Sequence, residues 1–250
     1  MTEHSPTAIV TGGSRGIGRA IVDRLARDGF SVLFTYRQDG AAAAAVEQAH
    51  RACGRRVTAC KADQSSTHGI DLLFETASEL FPRKTGRFLD AMVCSAGTVE
   101  HAPFDAVDPQ LFDRVMSVNA RGTFFTMQRG ARAMRDGGRI VCVSSIGTAW
   151  PSPGEAIYAA SKAAVEQFAR VSSRELGARG ITVNVVSPGP IDTDTLRKNV
   201  DPAQLEGLAQ MTALHRLGTP EDVAAIVGFL VTPAAGWITG RNIHADGGLV

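Results

Sequence analysis

Tyr158 and Lys162 stand four residues apart in the stretch YAASK. On a helix that spacing puts both side chains on one face. A phenol at its ordinary pKa of about 10 exchanges protons poorly at neutral pH. A neighbouring ammonium favours the phenolate and lowers that pKa. The pair therefore suits proton donation to a carbonyl oxygen, with Lys162 tuning Tyr158. Ser145 lies thirteen residues before Tyr158, at the end of an apolar run. The three can meet at the carboxyl edge of a sheet, where ligands bind in α/β folds.

A second cluster lies near the start, in IVTGGSRGIGRA, Ile9 to Ala20. Three chemistries use such a glycine turn. A phosphate cradle of the P-loop kind needs G-x-x-x-x-G-K-[ST]. Gly13 and Gly18 have the spacing, but Arg19 and Ala20 follow, so its lysine and hydroxyl are missing. Gly12 to Gly16 also reads G-x-S-x-G, the elbow that presents a nucleophilic serine, here Ser14. Only one strand precedes it, no oxyanion segment fits before it, and neither His215 nor His244 has a spacing that favours it as base. A Ser14 hydrolase is kept as the remote alternative. The third chemistry is a dinucleotide seat, written here T-G-x-x-x-G-x-G at Thr11, Gly12, Gly16 and Gly18. Glycines let the backbone approach a diphosphate, and the following helix offers free N–H groups and its positive end. Gly12, Ser14, Arg15, Gly16, Ile17 and Gly18 are the candidate contacts.

These groups need a scaffold, and the patterning describes one. Strands are predicted at Thr7–Thr11, Ser31–Tyr36, Arg56–Cys60, Leu89–Cys94, Arg139–Ser144, Ile181–Ser187 and Arg241–Asp246. Most are continuous apolar runs, as expected of strands covered on both faces of a parallel sheet. Amphipathic stretches separate them. RAIVDRLARDGF puts Ile21, Val22, Leu25 and Ala26 on one face and closes at Gly29. The segment after Tyr158 puts Ala164, Val165, Phe168, Val171 and Leu176 on a stripe. PEDVAAIVGFL opens with Pro220 and two acids. The alternation predicts a single-domain Rossmann fold: a doubly wound, mostly parallel seven-stranded sheet with helices on both faces. FPRKTGRFLD, before the fourth strand, reads as an exposed loop.

Composition excludes other classes. The net charge of +1 invites neither nucleic acid nor an anionic membrane, and no apolar run approaches 18 residues. The opening MTEHSPTAIV has no basic n-region or apolar h-region, so no signal peptide is expected. Cys53, Cys60, Cys94 and Cys142 show no CxxC spacing; they read as reduced thiols of a cytoplasmic protein, and no metal site is expected.

The glycine turn, Ser145, Tyr158 and Lys162 together resemble the short-chain dehydrogenase/reductase family, and the resemblance runs nearly end to end. VNARG supplies Asn119 at the family's active-site asparagine. SPGPIDT, Ser187 to Thr193, is similar to the segment over the nicotinamide and adds Pro188, Gly189, Ile191 and Thr193 as cofactor contacts. HRLGTPEDVAAIVGFL and WITGRNIHADGG resemble the family's C-terminal signature. The resemblance implies a nicotinamide-dependent oxidoreductase acting on an alcohol–carbonyl pair. Tyr158 would protonate the oxygen and Ser145 would hydrogen-bond it. Lys162 would hold the nicotinamide ribose, and Asn119 would hold a water of the proton relay. Asp63 would lie near the adenine, and Ala96 and Gly97 would keep a small surface against the cofactor. NAD-preferring members place an acid at the end of the second strand. Here Tyr36 stands there, Arg37 follows and Arg15 sits in the turn, so NADP(H) is expected over NAD(H). Asp39 is the nearest acid.

Family members often carry N-N-A-G after the fourth strand, where this chain has Cys94-Ser95-Ala96-Gly97. Altered local packing is expected there, without loss of catalysis. The substrate lid is expected within Pro190 to Leu217, with Leu196, Leu205, Leu208 and Met211; Trp150 and Ile146 are further pocket candidates. The overall resemblance is to 3-oxoacyl-[acyl-carrier-protein] reductases. Arg179 falls at one of their carrier-docking positions, but Asp136, beside Arg135, occupies the other. A small ketone, quinone or sugar is therefore as good a substrate as a carrier-linked one. Relatives that lose a catalytic residue act as regulators or scaffolds; all four are present here. The resemblance also implies a homotetramer or dimer.

Overall fold

A computed structural model describes residues 5–83 and 85–250. Seven strands form one sheet: β1 (Thr7–Thr11), β2 (Ser31–Tyr36), β3 (Val57–Lys61), β4 (Leu89–Cys94), β5 (Met134–Val143), β6 (Thr182–Pro188) and β7 (Asn242–Ala245). Their order is β3-β2-β1-β4-β5-β6-β7, and every pairing is parallel. The chain winds outward in both directions from the β1/β4 junction. That reversal leaves a crevice beyond the carboxyl ends of Thr11 and Cys94.

The helices are α1 (Gly16–Arg27), α2 (Gly40–Ala52), α3 (Thr67–Leu80), α4 (Pro109–Met116), α5 (Thr123–Ala133), α6 (Ala156–Glu175), α7 (Asp194–Asn199), α8 (Pro202–Met211) and α9 (Pro220–Leu230). The continuous apolar strands feed two cores, one on each face of the sheet. Ala8, Val10, Val32, Phe34, Ala91 and Val93 pack under α1, α2 and α9. The residues between them, Ile9, Leu33 and Met92, with Cys94 and Cys142, pack on the opposite side. The period of two explains why neither face shows as polar in the sequence.

Three expectations are corrected. β5 begins at Met134, five residues before Arg139, because Met134 pairs with Leu89 ahead of a register shift. The stripe expected on α6 holds only in part: Val165 is buried and Phe168 and Leu176 pack against the core, but Val171 is 47% exposed, and small and polar residues, Ser161, Lys162 and Ser173, are buried with Ala169. That helix lies against the active site, so its buried face carries functional groups. In the loop before β4, Pro82, Thr85, Gly86 and Arg87 face out, but Arg83 is half-buried 3.8 Å from Asp90, and Phe81 and Phe88 are buried and pin the ends to the core, their ring centroids 6.5 Å apart; Lys84 lies outside the described residues.

Candidate active site

The glycine turn bridges two strands before it becomes a helix. Gly13 N donates to the Thr35 carbonyl at 2.9 Å and Gly12 N to the Thr35 hydroxyl at 3.0 Å, both on β2. On the other side the Thr11 hydroxyl accepts from Ser95 N at 3.1 Å and Ala96 N at 3.0 Å. Gly12 has φ +71°, and a β-carbon there would lie 2.8 Å from the Ala96 Cα. A β-carbon on Gly18 would lie 2.1 Å from the Gly12 carbonyl oxygen. The turn is thus closed tightly enough that only bare backbone fits. No side chain caps α1, nor α5 or α6, whereas Asp39, Ser66, Asp108, Thr193, Asp201 and Thr219 cap α2, α3, α4, α7, α8 and α9. An uncapped helix start at the bottom of a crevice suits a diphosphate. Ser14 is buried and hydrogen-bonds no histidine among the described residues.

At the end of β2, Tyr36 is half-buried and Arg37 exposed, like Arg15 in the turn. Neither arginine takes part in an ion pair among the described residues. Asp39 accepts a hydrogen bond from Ala42 N at 2.9 Å and is engaged in starting α2. Asp63 accepts from Ser65 N at 2.8 Å in the turn after β3.

The opposite wall is the segment after β6. Gly189 N donates to the Ala245 carbonyl at 3.0 Å, and Ile191 is buried and bridged to Gly218. Thr193 caps α7 and lies over the turn: its methyl would be 3.6 Å from a β-carbon on Gly16. The fold therefore brings Pro188–Thr193 across from the glycine turn, although 177 positions separate Gly16 from Thr193.

Between the walls stand the proton-handling residues. Ser145 follows β5, and its Oγ accepts from Gly147 N at 3.1 Å. Lys162 and Tyr158 share the inner face of α6. Lys162 is buried, donates to the Val143 carbonyl at 3.0 Å and lies 5.9 Å from the Tyr158 ring centroid. Burial lowers its pKa to about 8. The Tyr158 phenol is pushed up instead, first by burial; the Ser145 hydroxyl opposes this and the Glu155 charge reinforces it. Burial, rather than Lys162, sets the direction in which the phenol moves. The ammonium lies over the ring and is itself short of solvation, so burial prevails. A phenol kept protonated at neutral pH is a proton donor.

Asn119 is fully buried in a π-helical turn, Ser117–Gly122, between α4 and α5. Its amide donates to the Thr98 carbonyl (2.9 Å) and Ser161 Oγ (3.0 Å) and accepts from Thr98 N (2.8 Å). The side chain ties the loop after β4 to α6.

Two positioning groups escaped the sequence reading. Glu166 Oε1 accepts from Ser144 at 2.8 Å and Thr148 at 2.7 Å, the hydroxyls on either side of Ser145, with Ser187 at 3.5 Å. Its only signal was an acid four residues beyond Lys162. Gln64 Nε2 donates to the Ala96 and Val118 carbonyls at 3.1 and 2.9 Å. With Thr11, it supports the Cys94–Gly97 segment where the usual asparagines are absent. A hydrogen bond with Cys142, then burial, holds the Cys94 thiol well above its ordinary pKa, which suits packing rather than redox exchange.

Arg179 does not offer a free guanidinium. It donates to the Ala131 carbonyl at 2.7 Å, the Met134 carbonyl and Asp136 at 2.8 Å, closing the end of α5. Asp136 also takes Arg87 at 2.9 Å, and Arg135 pairs with Asp90.

The family profile described as "Enoyl-(Acyl carrier protein) reductase" matches residues 12–250. A short-chain dehydrogenase/reductase from Serratia marcescens superposes with a TM-score of 0.91 at 38% identity, covering 98% of this chain and 97% of that one. The chain belongs to the short-chain dehydrogenase/reductase family. Within this family, tetrahydroxynaphthalene reductase of Pyricularia oryzae is 35% identical over 254 residues, 96% of this chain and 88% of that protein. The angucycline C-6 ketoreductase LanV, solved with bound NADP, superposes at a TM-score of 0.92 and 40% identity, covering 98% and 95%. The chain is thus a short-chain dehydrogenase/reductase with carbonyl-reducing relatives, and no described helix is long and apolar enough to cross a membrane.

Proposed function

We propose that this protein is an NADP(H)-dependent reductase of a small-molecule ketone, acting in the cytoplasm. The observation that carries the reading is Ser145, Tyr158 and Lys162 gathered between the uncapped start of α1 and the Pro188–Thr193 wall. The bound nicotinamide would supply the hydride. Ser145 orients the carbonyl oxygen, and Tyr158, held protonated, delivers the proton to it. Lys162 would hold the nicotinamide ribose. Asn119 fixes the loop after β4 against α6 with both amide hydrogens, and the second lone pair of its Oδ1 is left to accept from a relay water. NADP(H) is favoured over NAD(H) by Arg15 and Arg37, both unpaired, and by the engagement of Asp39 in the α2 cap. The NADP bound to LanV agrees with this. A free small molecule is favoured over a carrier-linked substrate because Arg179 is occupied by the end of α5. The lid would be α7 and α8, hinged at the Ile191–Gly218 bridge.

The test is NADPH and NADH oxidation against a panel of ketones. Turnover with NADPH, lost about 10²-fold or more in Tyr158→Phe while NADPH still binds, is the expected result. Tight NADPH binding without turnover of any ketone would instead indicate a cofactor-binding regulator.

A further inference from the structure

Glu155 enters the scheme above only through its charge on Tyr158, yet it stands beside the reacting groups. It immediately precedes α6, three residues before Tyr158. A β-carbon on Gly147 would lie 3.1 Å from Glu155 Oε2 and 3.4 Å from Ser145 Oγ, so the carboxylate and the active-site hydroxyl share one small space that Gly147 leaves open. The other oxygen, Oε1, is 3.6 Å from His101 Nδ1, on the loop after β4. The carboxylate keeps 22% of its side-chain surface exposed. Its charge reaches the Tyr158 phenol. Oε2 accepts no hydrogen bond from any described residue. His101 stands beside one oxygen, and the other shares the space beside Gly147 with the Ser145 hydroxyl.

An ionised acceptor in a narrow cleft takes a hydrogen-bond donor and rejects a second anion. The geometry points to Glu155 as a specificity-determining residue that selects ketones bearing a hydroxyl one or two carbons from the carbonyl, and disfavours keto acids. This rests on the carbonyl-reductase reading and names the substrate class for it. The hydroxyl donates to Oε2 while the carbonyl oxygen sits at Ser145 and Tyr158. The two anchors fix which side of the ketone faces the cofactor.

The experiment compares acetophenone, 2-hydroxyacetophenone and phenylglyoxylate on wild type, Glu155→Leu and Glu155→Gln. Kd is read by calorimetry with saturating NADP+, where no reduction can occur, and kcat/KM is read separately with NADPH. A hydrogen bond to a charged acceptor corresponds to about tenfold or more in affinity. Wild type is expected to bind the hydroxyketone about tenfold or more tighter than acetophenone, with phenylglyoxylate weakest. Glu155→Leu brings the hydroxyketone ratio close to one. Glu155→Gln keeps an acceptor and loses the charge, so phenylglyoxylate gains while most of the hydroxyketone preference stays. Should Glu155→Leu fail to fold, the phenylglyoxylate gain in Glu155→Gln decides. A wild-type ratio near one, a ratio unchanged in Glu155→Leu, or no gain for phenylglyoxylate in Glu155→Gln overturns the assignment. Lack of turnover with all three ketones would refute the reductase reading separately, since the binding ratios do not depend on it.

Discussion

Lys162 keeps an ammonium out of water with one backbone carbonyl for a partner, and that arrangement has a cost in the protein without cofactor. Its pKa of about 8 lies below the ordinary 10.5, so between those values the unfolded chain binds the proton and the folded chain does not. The penalty is full below pH 8, shrinks as pH rises, and is gone above about 10.5. Lys162→Met is therefore expected to raise cofactor-free stability at pH 7 by about 2 kcal/mol, with the gain vanishing by pH 10.5, as urea melts across pH would measure. The same substitution removes the cation that holds the ribose, so NADPH affinity falls. In wild type, NADPH affinity should decline as pH passes 8 and the ammonium is lost, whereas Lys162→Met should be weak and flat across that range by fluorescence titration. Arg15 and Arg37 belong to the same scale. Replacing both by alanine removes two candidate partners of a 2′-phosphate, each worth about 1.5–3 kcal/mol as a charge-assisted bond. NADPH affinity should fall about a hundredfold or more with NADH nearly unchanged; equal losses for both would remove the arginines from cofactor selection.

Among the elements, the turn after β5 depends on α6. Glu166 fastens Ser144 and Thr148 while Lys162 fastens Val143, so the helix that carries Tyr158 also holds Ser145 in register with it. Glu166→Ala leaves these hydroxyls to rearrange. It is expected to lower kcat about tenfold or more, the scale of a misplaced hydrogen-bonding group, with NADPH affinity little changed. In a Ser145→Ala background it should cost little further, because the effect passes through Ser145; additive losses measured in that cycle would show a separate role. This dependence also marks what the sequence could and could not tell. The glycine turn and the Tyr158–Lys162 pair were legible because their geometry is local, set by a few residues of turn or helix. The seven strands were legible as apolar runs. Glu166 and Gln64 were not, since their partners are brought by tertiary folding from 18 to 54 positions away. The early start of β5 was hidden too. Arg135, Asp136, Gly137 and Gly138 carry no strand pattern, and only pairing of Met134 with Leu89 draws the backbone into the sheet. Opposing effects on Tyr158 also could not be weighed from spacing, because burial depends on the whole site.

At the scale of the molecule, two apolar patches stand on opposite faces of the sheet. On α5 and α6, Phe124, Phe125 and Val171 are exposed, the Phe124 and Phe168 rings meet edge-on at 5.1 Å, and a cavity of about 280 Å³ opens between the helices. On the α9 side, Phe229 is 44% exposed and Trp237 99%. A net charge of +1 sets little repulsion between copies. Two independent patches, if each pairs with its own copy, would generate a tetramer of two-fold symmetry. Light scattering should therefore give a homotetramer for wild type, dimers for Phe124→Glu and for Trp237→Glu, and a monomer for the double variant. A wild-type monomer would contradict this. The same compact arrangement sets the central chemistry, in which one crevice joins the glycine turn to the Tyr158 side of α6. The most direct measurement uses NADPH carrying two deuterium atoms at nicotinamide C4, with 2-hydroxyacetophenone as acceptor and NMR of the product. The account predicts deuterium at the new carbinol carbon, formed at least a hundredfold more slowly by Tyr158→Phe. A product formed without deuterium at that carbon, or at an undiminished rate by Tyr158→Phe, would contradict it.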